Sequence, residues 1–149
     1  MKSIINNTKH QSIMGDWGSS ATIGFIWAFR PLQDNALRVA YANGSSVSYS
    51  YVTNFFPTPD NQWIHIVIVY DYTNKTGKFY RNGALFDTQA LTGTPVFPLT
   101  NNVKYIGSYS TGALYNLTDG SLDEVRIYNR GLSAEEIGAR YNSTRGRYQ

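Results

Sequence analysis

Apolar and polar positions alternate with a period of two along most of this chain, which is the pattern of strands. The signal is densest from Gln62 to Thr88. There Trp63, His65, Val67 and Val69 share one face and Ile64, Ile66, Ile68 and Tyr70 share the other. With apolar groups on both faces, this segment reads as an interior strand rather than an edge. Asn74, Thr76 and Gly77 supply turn chemistry. A second strand, Lys78 to Arg81, then meets Asn82-Gly83, a pair suited to a two-residue type I′ turn because both central residues need positive φ. Phe86 lies on the return strand.

Upstream, Thr22 to Arg30 alternates with Ile23, Phe25, Trp27 and Phe29 on one face and Gly24, Ile26 and Ala28 on the other. Pro31 ends that strand by removing a ladder donor, and Gln33-Asp34-Asn35 form the turn. Leu37, Val39 and Tyr41 point inward on the next strand, and Asn43-Gly44 is a second hairpin signal. Ser46 to Val52 sets Val47, Tyr49 and Tyr51 against Ser46, Ser48 and Ser50. One of these faces packs, and the other is wet or binds something. Phe55 to Asp60 is a connection. In residues 3–20, Ser3 to Ile5 and Ser12 to Met14 are compatible with short strands, with Asn6-Asn7 and Gly15-Asp16 as turns.

Downstream, Val103 to Ile106 reads as a short strand and Leu122 to Tyr128 as another. The stretch between them, Gly107 to Gly120, is long and irregular, and loops of that length in compact domains are often functional. One helix is signalled. Ser133 is an N-cap with Glu136 three residues on, Leu132 and Ile137 form a hydrophobic staple, and Glu135 and Glu136 suit the positive end of the dipole. Residues 142–149 are expected to be a flexible tail. Strands at intervals of about ten residues predict an all-β sandwich or barrel, and 149 residues fit a single domain spanning 1–149.

Composition narrows the function. The chain has no cysteine, which excludes disulfides and zinc-thiolate chemistry. The net charge is only +3 and the basic residues are scattered apart from Arg140, Arg145 and Arg147, so nucleic acid is not an expected partner. Charged residues are 15% of the chain while twelve residues are tyrosine, a surface chemistry that suits sugars or proteins. No segment is long and apolar enough to insert in a membrane, and MKSIINNTKHQ lacks the apolar core of a signal peptide. Sequons at Asn6, Asn43, Asn74, Asn116 and Asn142 exceed chance only slightly.

Several motifs then fall in an order that resembles a known family. They are Trp63-x-His65 with Val67 and Tyr70-Asp71, Gly77-Lys78-Phe79-Tyr80-Arg81-Asn82-Gly83, Tyr105-Ile106-Gly107, GSLDEVRIYNR from Gly120 to Arg130, and Leu132-Ser133-x-Glu135-Glu136-Ile137. Together they resemble the laminin G-like domains of the concanavalin A-like lectin/glucanase superfamily, of the bacterial and phage type. The resemblance implies a two-sheet antiparallel jelly-roll sandwich with one short C-terminal helix. It also implies that Trp63 plugs one end of the core, and that Asp123 and Glu124 serve in a strand as cross-strand or turn-binding carboxylates. Residues 1–20 depart from the family layout. The expectation is an atypical N-terminal edge whose missing strand is absent or supplied by another subunit.

Catalysis has little support. Asp123-Glu124 points to opposite faces of its strand, Glu135-Glu136 belongs to the capping box, and His65 reads as a structural residue rather than a base. Calcium is the one cofactor the resemblance allows, with Asp16, Asp71 and Asp119 as ligands by type but without a loop spacing that specifies it. The candidate ligand-binding residues are Trp17, Tyr49, Tyr51, Tyr109, Tyr115, Asn116 and Asp119, because sugar sites pair a stacking aromatic with Asn and Asp hydrogen bonds. The leading expectation is a non-catalytic recognition module that binds glycans or a protein partner at a cell or particle surface. The alternative is a structural virion protein, a capsid decoration or fibre component that uses the sandwich for subunit contacts. The expected location is extracellular, surface-exposed or within a virion.

Overall fold

The computed structural model describes residues 11–16, 24–30, 34–57, 62–96, 103–108, 116–117 and 120–147. They form β1 (Gln11–Gly15), β2 (Phe25–Arg30), β3 (Ala36–Ala42), β4 (Val47–Val52), β5 (Ile66–Asp71), β6 (Thr76–Arg81), β7 (Ala84–Ala90), β8 (Tyr105–Ile106) and a helix α1 (Ala134–Thr144). Two antiparallel sheets result, a five-stranded one ordered β4-β3-β2-β1-β8 and a three-stranded one ordered β5-β6-β7. This is the two-layer sandwich that the strand spacing predicts.

The layers meet through alternate residues. Phe25 and Phe29 of β2, Leu37, Val39 and Tyr41 of β3, and Val52 of β4 face Phe79 of β6, with Ile66, Ile68 and Tyr70 of β5 packed against them. Trp63 packs on the same core. Phe55 and Phe56, in what looks like a simple connection, are fully buried, and Phe56 sits edge-on to Phe29 at 4.4 Å.

β5 departs from expectation. It is an edge strand among the described residues, and each of its residues is half-buried. Its two apolar faces have a different cause. One meets the core, and the other carries Val67 and Val69 under Leu132 and Ile137 at the start of α1. The helix, not a neighbouring strand, makes the second face apolar.

The Asn82-Gly83 turn forms as predicted, with φ of 51° and 81°. Gly83 is required twice, because a Cβ there would stand 2.9 Å from the Tyr141 ring of α1. The Asn43-Gly44 hairpin is longer than two residues. Asn43 to Ser46 form a four-residue loop, with the Asn43 N–H donating to the Ser46 carbonyl and the Asn43 side chain accepting from Ser45 and Ser46.

Three other expectations are corrected. Gly15-Asp16 is not a turn, since the Asp16 N–H continues the pairing by donating to the Phe25 carbonyl. Leu122 to Tyr128 is not a strand. Glu124 takes φ 54°, the Glu124 N–H donates to the Asp123 carboxylate, and Glu124 pairs with Arg126 and Arg147. A left-handed residue held by local bonds breaks the extended ladder that the alternation predicts. Finally, the tail is not loose through Arg147. α1 runs to Thr144 and a 3-10 turn to Arg147, held by the Arg145 N–H on the Tyr141 carbonyl and Arg147 on Glu124. At the other end of α1 the predicted capping box is present in both directions. The expected N-terminal edge strand, Ser3 to Ile5, lies outside the described residues.

Candidate functional site

The register between β3 and β4 fixes which side chains leave the sandwich. Leu37 stands opposite Val52, Val39 opposite Ser50 and Tyr41 opposite Ser48, all facing the core. Arg38 opposite Tyr51 and Ala40 opposite Tyr49 face outward. The serines of β4 are therefore inside and its tyrosines outside. Ser48 is accommodated because its hydroxyl donates to the Thr92 carbonyl and accepts from the Asn43 side chain, at 3.0 and 3.2 Å. The backbone N–H of Thr92 in turn donates to the Tyr41 hydroxyl at 2.9 Å. A polar lining bonded on every side can sit at the edge of a core.

Outside, Tyr49 is 50% exposed and Tyr51 37% exposed. Their rings lie 6.4 Å apart and within 21° of parallel. Each is flanked by a guanidinium. Arg38 lies 4.7 Å from the centre of the Tyr49 ring, and Arg30 lies 5.6 Å from that of Tyr51 while donating to its hydroxyl at 3.3 Å. Ala28 and Ala40 occupy the neighbouring outward positions of β2 and β3 and are buried together with Ile26, with Val47 packed against them. The arrangement is a pair of aromatic platforms beside two forked donors, on rigid strands. It can stack against the apolar face of a pyranose and donate to its hydroxyls or acidic groups.

Of the residues selected from sequence, Tyr49 and Tyr51 are thus brought together. Asn116 is not with them. It accepts from the Ser108 hydroxyl at 2.8 Å, next to β8, at the opposite edge of the five-stranded sheet and about 19 Å away by strand spacing. Trp17, Tyr109, Tyr115 and Asp119 lie outside the described residues. Arg30 and Arg38 were not among the sequence candidates. For Arg38 the signal is the parity of β3, where an arginine sits between inward Leu37 and Val39.

The carboxylates considered for calcium have other partners. Asp16 is buried, accepts from the Phe25 N–H at 3.0 Å and pairs with Lys104 at 3.0 Å. Asp71 accepts from the backbone and side chain of Asn74 and lies 3.6 Å from Lys78. The hydrogen bonds from Asn74, more than Lys78, hold its carboxyl below the usual range. No group of three or more His, Cys, Asp or Glu that could hold a metal ion forms among the described residues. His65 is half-buried, its backbone is bonded to Asn82 in both directions, and burial pushes its imidazole below the ordinary value. A recess of about 460 Å³ lies on the other sheet, between β5, β6 and the start of α1. The first turn of α1 beside it is closed by its own capping box.

Among known proteins, a family model described as the concanavalin A-like lectin/glucanases superfamily matches residues 2–138. The fold is similar to that of the Ruminococcus gnavus IT-sialidase CBM40, with a TM-score of 0.71 and 18% identity over 94% of this chain and 78% of that one. The same module bound to α2,3 sialyllactose gives a TM-score of 0.71 at 18% identity, covering 94% and 77%. The leech intramolecular trans-sialidase complexed with 2,7-anhydro-Neu5Ac is similar at a TM-score of 0.59 and 17% identity, over 92% of this chain and 22% of that enzyme. At these identities the likeness is one of fold. No curated protein matches the sequence.

Proposed function

The chain belongs to the concanavalin A-like lectin/glucanase superfamily, and from that premise we propose that it is a non-catalytic glycan-binding module. Its ligand lies on the outer face of the five-stranded sheet, over Tyr49 and Tyr51. The observation that carries this reading is the pair of exposed, near-parallel tyrosine rings, each flanked by an arginine, on a strand whose serines face the core. Structures of the similar Ruminococcus module with α2,3 and α2,6 sialyllactose support a glycan over a protein partner. Such a module acts outside the cell or at its surface, where polymeric sugars are found. The virion reading depends on an N-terminal edge that falls largely outside the described residues, and no observation favours it.

The test is a glycan array with the wild type, followed by titration of the best hit against Tyr49→Ala and Tyr51→Ala. Aromatic hot spots carry 2 kcal/mol or more, so each substitution is expected to weaken binding by about 30-fold. Undiminished binding by both variants would move the site elsewhere. An array with no bound glycan would refute the function.

A further inference from the structure

The recess on the three-stranded sheet has a floor and two walls of different chemistry. β5 and β6 pair Val69 with Lys78 and Asp71 with Thr76, so Val69, Asp71 and Lys78 leave the sheet on the side away from the Phe79 core. Val69 with the buried Tyr80 and Leu132 makes an apolar floor. One wall is the chain entering α1. It lies close on β5, since a Cβ on Gly131 would stand 3.3 Å from Val69, and Arg130 fastens it to Glu136. The other wall carries the half-exposed Tyr72 on a turn that Asn74 closes, donating its N–H and side-chain amide to the Asp71 carboxylate at 3.0 and 2.9 Å. Its volume of about 460 Å³ is that of a small-molecule site. Both walls are tied in place, so little ordering is left to occur on binding.

Within the recess the Lys78 ammonium lies 3.6 Å from the Asp71 carboxylate, both partly sheltered. Each group serves several hydrogen bonds, and the contacts with each other and with Asn74 use only part of that capacity. The bonds from Asn74 hold the Asp71 carboxyl below its usual range, so the acceptor stays charged in weakly acidic solution. Because the two charges are adjacent and opposite, an anion or a cation entering here meets repulsion as near as attraction. A neutral polyol does not. One hydroxyl can donate to Asp71 while its neighbour on the ring accepts from Lys78, and both bonds are charge-assisted. The C–H face of the same ring suits Tyr72 and the apolar floor. We propose that this recess is a second carbohydrate site, taking an uncharged pyranose whose adjacent hydroxyls bridge Asp71 and Lys78 while its apolar face lies against Tyr72. It is on the other sheet from Tyr49 and Tyr51 and does not rest on their role.

Amide-resolved NMR titration of the isotope-labelled protein with the methyl glycosides of glucose, galactose and mannose, at millimolar concentration, tests it. At least one glycoside is expected to give saturable shifts at Asp71, Tyr72, Lys78 and Gly131. Asp71→Asn and Lys78→Gln should each weaken that binding by about tenfold or more, and Tyr72→Ala by about three- to tenfold. Tyr72→Ala leaves the ion pair and the Asn74 turn intact, so it decides the matter if loss of a charge disturbs the turn. Amides of β4 report the Tyr49–Tyr51 face in the same spectra, which keeps the two sites apart. Shifts confined to β4 overturn this inference and leave the earlier glycan site standing. Recess shifts that all three variants leave undiminished overturn it as well. Saturable recess shifts lost in the variants, with β4 silent, uphold it even where the Tyr49–Tyr51 site fails.

Discussion

Removing the aromatic ring from Tyr49 and from Tyr41 should have very different consequences, although the two residues lie on paired strands of one sheet. Tyr49 is half exposed, and what it touches is the Arg38 guanidinium and the Tyr51 ring. An exposed cation–π contact contributes about 0.5–1 kcal/mol, so Tyr49→Ala should cost about 1 kcal/mol, or about 2–4 °C in Tm. Tyr41 is 1% exposed, meets the Tyr70 ring at 5.9 Å and accepts from the Thr92 N–H. Its truncation leaves a cavity and an unpaired donor and should cost about 3–5 kcal/mol. Ser48→Ala removes a hydroxyl bonded to Thr92 and Asn43 and should cost about 1–3 kcal/mol. Urea unfolding at 25 °C of the wild type and the three variants measures all three values. If the tyrosines of β4 filled the core, Tyr49→Ala would cost as much as Tyr41→Ala, and Ser48→Ala would be nearly silent. That outcome refutes the register of β4 and the site built on it.

Three further outcomes follow from α1. Ile137 is fully buried between α1 and β5, so Ile137→Ala should cost about 2–5 kcal/mol in thermal unfolding. Gly83→Ala meets the Tyr141 ring at a positive φ and should cost about 2 kcal/mol or more; adding Tyr141→Ala should return the steric part but not the backbone part. The Glu136 carboxyl is held at about 2, against 4.5 ordinarily, first by Arg130 and then by the Ser133 N–H. Its folded value lies below the unfolded one, so this stabilisation is complete above about 4.5 and is lost as pH falls through about 2. Glu136→Gln should therefore flatten the acid limb of a Tm-against-pH curve, and an unchanged limb refutes the linkage.

What was legible in the sequence was local. Ser133 with Glu136 states a helix start in four residues, and Asn82-Gly83 states a turn in two, because each depends on bonds within its own segment. What was not legible depended on partners far along the chain. The alternation of β4 is the same whichever face is inward, and only the register with β3 and the Asn43–Thr92 contact turns the serines in. The apolar faces of β5 were readable, yet the cause of the second was α1, more than sixty residues on. Arg38 was overlooked for a related reason. A lone arginine within a strand gains meaning only when the tyrosine opposite it and the alanine behind it are known.

The placement of the candidate site on a sheet rather than on loops has an energetic consequence. Each end of β4 is tied to the three-stranded sheet or to the chain that follows it. Gln89 of β7 donates to the Tyr51 carbonyl at 3.0 Å, Arg81 of β6 donates to the Asn54 and Phe55 carbonyls, and Asn43 and Ser48 both donate to Thr92. The strand bearing both tyrosines is therefore held from its own sheet by β3 and from beneath by the other layer. Side-chain and loop ordering costs about 0.5–1.5 kcal/mol per immobilised side chain on binding, and strands locked in this way leave only the side-chain part of it. Cutting one tie tests the point without touching the ligand face. Gln89→Ala should leave Tyr49, Tyr51 and Arg38 in place yet loosen β4, weakening a bound sugar by about three- to tenfold with faster amide exchange confined to β4. Weakened binding with unchanged exchange would mean that Gln89 acts on the ligand by another route, and unchanged binding with faster exchange would mean that rigidity of β4 contributes nothing to recognition.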